Sequence, residues 1–283
     1  MSHENRSVKF QQFKQLHKQF STFVLPNAWD ASSASIFQKS GFKAIGTTSA
    51  GIAISLGYLD GENLPFEKMI EALKLIVNSV DIPVSADIEA GYGKSVEEVI
   101  DNVKQVILAG VVGINLEDGT GNPNEPILDI SMQVKKIAAI KELSQSLNMP
   151  LFINARTDLY WLKIDDPSLR FQSAIKRVKA YEEAGADCIF IPGVTNIDTI
   201  KNFREKISCP INLLVGSDTP SLNELSKIGI ERVSSGSAPF RATITLLKEI
   251  SEAIMFHGNF KPMIDDVITY DDMTELLKPS KEL

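Results

Sequence analysis

Asp87 and Glu89 stand two residues apart in the stretch PVSADIEAGYG, Pro83 to Gly93. The stretch opens as a buried strand does, with small and β-branched residues behind a proline. A carboxylate at the end of such a strand is costly unless something positive meets it, and two aimed to one side repel each other. A second pair, Glu117 and Asp118, ends the apolar run GINLED. Against these acids the strand ends supply one arginine, Arg156 in NARTD. An uncompensated all-oxygen cluster calls for a hard divalent cation, so the expected cofactor is Mg2+ (or Mn2+) rather than zinc. Histidine chemistry is disfavoured, because His3, His17 and His257 lie near the termini or in the last helix. Cys188 and Cys209 have neither metal-type nor redox-type spacing and read as reduced, structural thiols.

Two further features could handle an anionic substrate. The planar fork of Arg156 suits a carboxylate, or it pairs with the acidic cluster. The TTSAG stretch, Thr47 to Gly51, offers small side chains and main-chain N–H groups for an oxyanion. The segment from Gly119 to Asp129, with Gly121, Pro123 and Pro126, is long for a connection and reads as a lid.

These groups need a scaffold that brings distant segments to one place. Four segments share a design of apolar helical stripe, glycine and short apolar run, with Gly41, Gly110, Gly185 and Gly229 at the helix ends. Other strands announce themselves with proline, as in IPVSAD, MPLFINARTD and CPINLLVG. Helical periods lie between, such as Phe66, Met69, Ile70 and Leu73, or Val96, Val99, Ile100 and Val103. Ser95 and Glu98 form a capping box ahead of the latter. Strands are expected to start near Phe23, Ala44, Val84, Gly113, Leu151, Cys188, Ile211 and Arg232. Eight near-continuous apolar runs alternating with helices mean parallel strands buried on both faces, and the count favours a closed (β/α)8 barrel. In such a barrel chemistry sits at the C-terminal strand ends, where the polar residues here collect.

One domain covering residues 1–283 is expected, with an N-terminal helix over 1–20 and a C-terminal helical extension over 239–283. Phe10, Phe13, Leu16 and Phe20 mark the apolar side of the first helix. Of the 283 residues 43% are hydrophobic and 23% charged, ordinary for a globular chain. A net charge of −7 without a long basic run argues against nucleic acid. No window is apolar for long enough to span a bilayer, the N-terminus lacks a secretory core, and a cytoplasmic location is expected.

LPNAWDASSA, TTSAGIAISLGYLDG, ADIEAGYG, GINLEDG and NARTD together resemble the isocitrate lyase and phosphoenolpyruvate mutase superfamily, in register from about residue 20 to residue 245. The resemblance implies a (β/α)8 barrel that binds Mg2+ and a small 2-oxo or 2-hydroxy acid, with its final helix exchanged in a homo-oligomer (dimer or tetramer). It makes Asp87 the direct metal ligand, with Glu89 and Glu117 acting through metal waters. Asp60, Glu117 and Arg156 become the catalytic residues. Thr48, Ser49, Ala50, Gly51, Arg156 and Asn212 become substrate-binding, and Gly119, Gly121, Asn122 and Asn124 the lid. The implied chemistry is cleavage of a C–C or P–C bond by way of a metal-stabilised pyruvate enolate.

The chain departs from its lyase relatives in EDGTGNPNEPILD, which has none of the cysteine, histidine or lysine of their catalytic loop. Pro192 stands where the phosphonomutases carry a histidine. Oxaloacetate decarboxylase-like chemistry is therefore favoured. A methylisocitrate-type lyase using Tyr92 or Asp60 as acid, a phosphonomutase, and a non-catalytic binder of 2-oxo acids are the alternatives.

Overall fold

The computed structural model describes residues 3–19 and 21–278. Phe20 and the ends of the expected terminal extensions lie outside the described residues. The first helix, α1 (His3–Leu16), precedes a strand that Pro26 divides into β1 (Phe23–Leu25) and β2 (Asn27–Ala28). Proline lacks the N–H a ladder needs, so the division falls at that residue. Then come α2 (Ala31–Lys39), β3 (Ile45–Thr47), α3 (Ser49–Ser55), α4 (Phe66–Asn78), β4 (Val84–Asp87), α5 (Val96–Leu108) and β5 (Gly113–Glu117). The second half runs α6 (Ile130–Ser146), β6 (Phe152–Arg156), α7 (Pro167–Glu183), β7 (Cys188–Phe190), α8 (Ile197–Lys206), β8 (Ile211–Leu214), α9 (Leu222–Ile228) and β9 (Arg232–Ser234). It ends in α10 (Ala238–His257) and α11 (Tyr270–Leu277).

Every strand pairing is parallel, in the order β1-β9-β8-β7-β6-β5-β4-β3-β2. β1 pairs with β9 and β2 with β3, so the divided first strand carries the sheet round into a barrel. The expected strand starts hold to within one residue, and all four cap glycines have positive φ. Ser95 Oγ accepts the Glu98 N–H at 3.2 Å, but Glu98 Oε2 takes the Lys94 N–H at 2.7 Å in place of that of Ser95, so the expected box is half formed.

The main core lies between sheet and helices, where Ile114, Ile153, Ile189 and Leu213 meet Val103, Ile140, Val178 and Phe203. A second cluster closes the barrel at its N-terminal end. Phe13 of α1 is fully buried there against Phe152, Leu25 and Cys188. α1 is fastened from below: Arg6 donates to the Pro150 and Val111 carbonyls, both at 2.8 Å, and Lys9 to that of Val80 at 3.2 Å.

Between this plug and the open end the barrel interior is polar, where branched apolar side chains are the norm. Asn115, Asn154, Asn212 and Ser234 are buried there. Asn154 Nδ2 donates to Asn115 Oδ1 at 2.7 Å, and Ser234 Oγ to Asn212 Oδ1 at 3.1 Å. Arg232, fully buried, donates from Nε to Ser234 Oγ at 3.1 Å and lies 5.9 Å over the Phe13 ring. No described helix is long and apolar enough to cross a membrane.

A carboxylate-lined candidate active site

The strand ends converge on a cavity of about 360 Å3. Five carboxylates line it, from Asp60, Glu62, Glu89, Glu117 and Asp158, while Arg156 is the one cationic side chain among the described lining residues. Asp87, the last residue of β4, is buried beside Ser49 of the cavity wall. Its Oδ2 accepts the Ser49 hydroxyl at 3.0 Å and the Ser49 N–H at 3.3 Å, whereas its Oδ1 is buried with no hydrogen-bond partner. Beyond the strand the chain turns through Glu89 in the left-handed region, φ 52°. That turn aims the Glu89 carboxylate at the 60–62 segment: Oε2 accepts the Glu62 N–H and Oε1 the Tyr92 hydroxyl, each at 2.7 Å. Lys136 of α6 donates to the Ala90 carbonyl at 2.9 Å and fastens the same turn from behind.

Burial raises the carboxyls of Asp60, Glu89 and Glu117, and repulsion from neighbouring acids adds to it. Burial first, then Asp87, raises Asp60. Glu89 is pushed up to about 7 by burial, with Asp60 and Asp87 reinforcing and the Tyr92 hydroxyl opposing. Glu117 is raised well above its ordinary value, again by burial, although Arg156 opposes. Burial and Glu89 also raise the Tyr92 phenol, which disfavours it as a proton donor.

Arg156 is already engaged. Nη1 meets Glu117 Oε2 at 2.8 Å, and Nε and Nη2 meet the two oxygens of Asp158 at 2.6 and 3.1 Å. Burial works against its charge, but Glu117 and Asp158 outweigh burial and hold the guanidinium protonated. Of the two sequence readings of Arg156, the partner to the acidic cluster is thus formed. Asp158 had no role in the sequence reading; it sits so close to the lid that a side chain on Gly119 would come within 2.7 Å of its carboxylate.

Several expected site residues are placed elsewhere. Asp118 does not join the cluster: it faces the helices and accepts the Tyr181 hydroxyl at 2.6 Å, the Asp158 N–H at 2.9 Å and Arg177 Nη1 at 3.4 Å. Successive residues of a strand point to opposite faces, so Glu117 and Asp118 could not both enter the barrel. Ser49 lines the cavity, while Thr48, Ala50 and Gly51 do not. Thr48 is the N-cap of α3, its Oγ1 accepting the Gly51 N–H at 3.3 Å. Asn212 is fully buried in the polar interior and is not among the lining residues.

The lid segment is folded: Gly119 and Ile127 form an antiparallel bridge, and the Thr120 hydroxyl donates to the Glu125 carbonyl. Gly119, Gly121 and Asn122 line the cavity and Asn124 does not; Asn122 Oδ1 accepts the Asn124 N–H at 3.0 Å. Arg232 escaped the sequence reading because it marks a strand start in ERVSSG, and nothing local shows that it points inward.

Among the described residues no three His, Cys, Asp or Glu side chains group as direct ligands of one ion. The carboxylates do fit a cation held by one direct ligand and a shell of waters. The unpartnered, buried Oδ1 of Asp87 would supply that ligand, with the raised carboxyls of Glu89, Glu117 and Asp60 close enough to feel its charge. All the donors are oxygen, which suits Mg2+ or Mn2+.

Residues 13–255 match the family described as phosphoenolpyruvate phosphomutase. An uncharacterized protein of Mycobacterium tuberculosis is 37% identical over 244 residues, 86% of this chain and 88% of its own. The 2,3-dimethylmalate lyase of Eubacterium barkeri is 29% identical over 266 residues, 90% of this chain and 89% of its own. Among solved structures, a candidate lyase/mutase from Burkholderia cenocepacia superposes with a TM-score of 0.89 at 31% identity, covering 96% of both chains.

Proposed function

Because the chain belongs to the phosphoenolpyruvate phosphomutase family, we propose that it is a Mg2+-dependent (or Mn2+-dependent) lyase that breaks a bond at carbon 3 of a small 2-oxo or 2-hydroxy acid. The observation that carries this reading is the buried, unpartnered Oδ1 of Asp87, beside Ser49 in the wall of a cavity lined by carboxylates. A bound dication would polarise the 2-oxo group and stabilise the enolate oxygen that develops as the bond breaks.

This chain's own residues divide the remaining work. Asp87 would ligate the cation, with Glu89 and Glu117 held by Tyr92, the Glu62 N–H and Arg156 so that their oxygens face it. Ser49, whose N–H and hydroxyl reach Asp87, borders the place where the head carboxylate would lie. Arg156 acts through Glu117 and Asp158 as a positioning residue. Asp60, with its carboxyl raised by burial, is the group suited to carry a proton. In a decarboxylation the bond from carbon 3 to the leaving carboxylate breaks, its electron pair forms the enolate, CO2 departs and Asp60 protonates carbon 3.

Carbon–carbon cleavage is favoured over phosphorus–carbon cleavage. No lysine or histidine lines the cavity among the described residues to hold a phosphoryl group. A lyase among the relatives agrees with this. The test is release of pyruvate or its homologues from oxaloacetate, phosphonopyruvate and 2-methylisocitrate, with Mg2+ and with EDTA. Metal-dependent release from oxaloacetate or a substituted oxaloacetate, lost in Asp87→Ala, is expected. Binding of oxalate with Mg2+ but no turnover on any 2-oxo acid would make the protein a binder instead.

A further inference from the structure

The cavity lining is of two kinds. The carboxylates and Ser49 are one; Trp161 and Leu162, with Pro123 and Pro126 of the lid, are the other. Trp161 and Leu162 are 53% and 44% exposed, large apolar side chains left facing an open space. They are not on a loose loop. Leu162 N–H donates to the Asp158 carbonyl at 2.8 Å and Ile164 N–H to that of Leu159 at 3.0 Å. Arg170 gathers the far end by donating to the carbonyls of Ile164, Lys163 and Asp165 at 2.7, 3.1 and 2.9 Å. From behind, the backbone at Tyr160 and Trp161 lies within 3.3 Å of where Gly193, at φ 86°, would carry a side chain, so a larger residue there would be both crowded and strained. The turn is built to present Trp161 and Leu162 where they are.

The charges on the lining restrict what can extend from the head group toward that wall. Arg156 is spent on Glu117 and Asp158, and no other cation lines the cavity among the described residues. A bound dication would itself face Asp87 and the neighbouring carboxyls, leaving no free cation toward Trp161 and Leu162 among the described lining residues. A further carboxylate that stays on the chain would meet no positive partner and be desolvated beside acids, which is costly, whereas the one lost in a decarboxylation sheds its charge as CO2. An uncharged branched chain would cover Trp161, Leu162 and the two prolines and gain from leaving water.

We propose that the site selects 2-oxo or 2-hydroxy acids whose chain beyond the reacting carbon ends in an apolar group, seated on Trp161 and Leu162 under Pro123 and Pro126, and rejects those that end in a charge. This rests on the head-group reading above and deepens it. The chain end is thereby set apart from the carboxylate that leaves in a decarboxylation, which is bonded to carbon 3 itself.

The test is calorimetric binding to the full chain with Mg2+, using oxalate as head-group probe and a matched pair of product-like acids, 4-methyl-2-oxopentanoate and 2-oxoglutarate. The branched acid is expected to bind about tenfold more tightly than the dicarboxylate, the value of burying one small aliphatic group. Its binding is also expected to shift tryptophan emission to the blue as Trp161 is covered. Trp161→Ala should remove most of that preference. Leu162→Lys should raise 2-oxoglutarate binding several-fold by supplying the missing cation. The wild-type pair decides the matter even if a variant fails to fold. Oxalate bound, with 2-oxoglutarate as tight as the branched acid or tighter, overturns the inference and leaves the head-group reading intact. No Mg2+-dependent binding of oxalate overturns both.

Discussion

Asp87 carries the largest single consequence at the scale of one side chain. Its Oδ1 has no protein partner, and the loss of the two Ser49 bonds at Oδ2 is offset by relief of repulsion with Asp60, Glu89 and Glu117, so replacing the carboxylate should cost little in folding and nearly everything in metal binding. Asp87→Ala is expected to keep its melting temperature within a few degrees, and to lose Mg2+ binding by calorimetry at millimolar metal. A variant that still bound Mg2+ normally would move the site elsewhere. Glu89 adds a pH dependence. Burial lifts its carboxyl to about 7, so below that pH a proton competes with the cation for the group. Mg2+ affinity is therefore expected to rise between pH 6 and 8, with protons released on binding, and Glu89→Gln should flatten the slope. The acids themselves were legible in the sequence, because carboxylates ending apolar runs need a reason to be there. The direction each one faces was not. Alternation carried one residue past β5 separates Glu117 from Asp118, whereas past β4 the chain turns through positive φ at Glu89, and that turn rather than the strand aims its carboxylate. Likewise Arg156 was legible as the lone strand-end cation, while its engagement by Asp158 depends on a loop conformation that residue types do not fix.

At the scale of the element, α1 is the part whose removal should be felt throughout. Phe13 fills the N-terminal end of the barrel, and Phe13→Ala is expected to destabilise by about 3–5 kcal/mol in urea unfolding. A change below about 1 kcal/mol would mean that α1 is not a plug. His17, just beyond α1, stacks on Phe152 at 4.3 Å, and burial, then Arg232, depresses its imidazole to about 3. The unfolded chain therefore binds the proton that the folded chain refuses. Its contribution to stability is complete above the unfolded value of about 6.5 and drains away as pH falls from there toward 3. Urea midpoints should drop between pH 7 and pH 5, and less so in His17→Phe. The strands were legible because proline, cap glycine and apolar run recur together. The division of the first strand was signalled by Pro26, and was missed because the run on either side reads as one.

At the scale of the whole molecule, the C-terminal extension is unfinished by itself. Of the twenty residues of α10 only Phe240 is buried, while Leu246, Leu247, Met255 and Phe256 are exposed. Large apolar side chains exposed all round a helix mark an interaction surface. We propose a homo-oligomer joined through it: light scattering at micromolar concentration should show a dimer or tetramer, and Leu247→Asp with Phe256→Asp should yield monomers. A wild-type monomer would refute this. The barrel itself has a simpler bearing on kinetics. Closed below by Phe13 and filled above it by Arg232 and the buried asparagines, the described barrel has its doorway at the strand ends. Whatever fragment lies nearer the threshold must depart before the one lodged at Asp87 can follow. On the proposed function departure is then sequential, and the deeper fragment, being last to vacate, should inhibit competitively against substrate while the outer one does not.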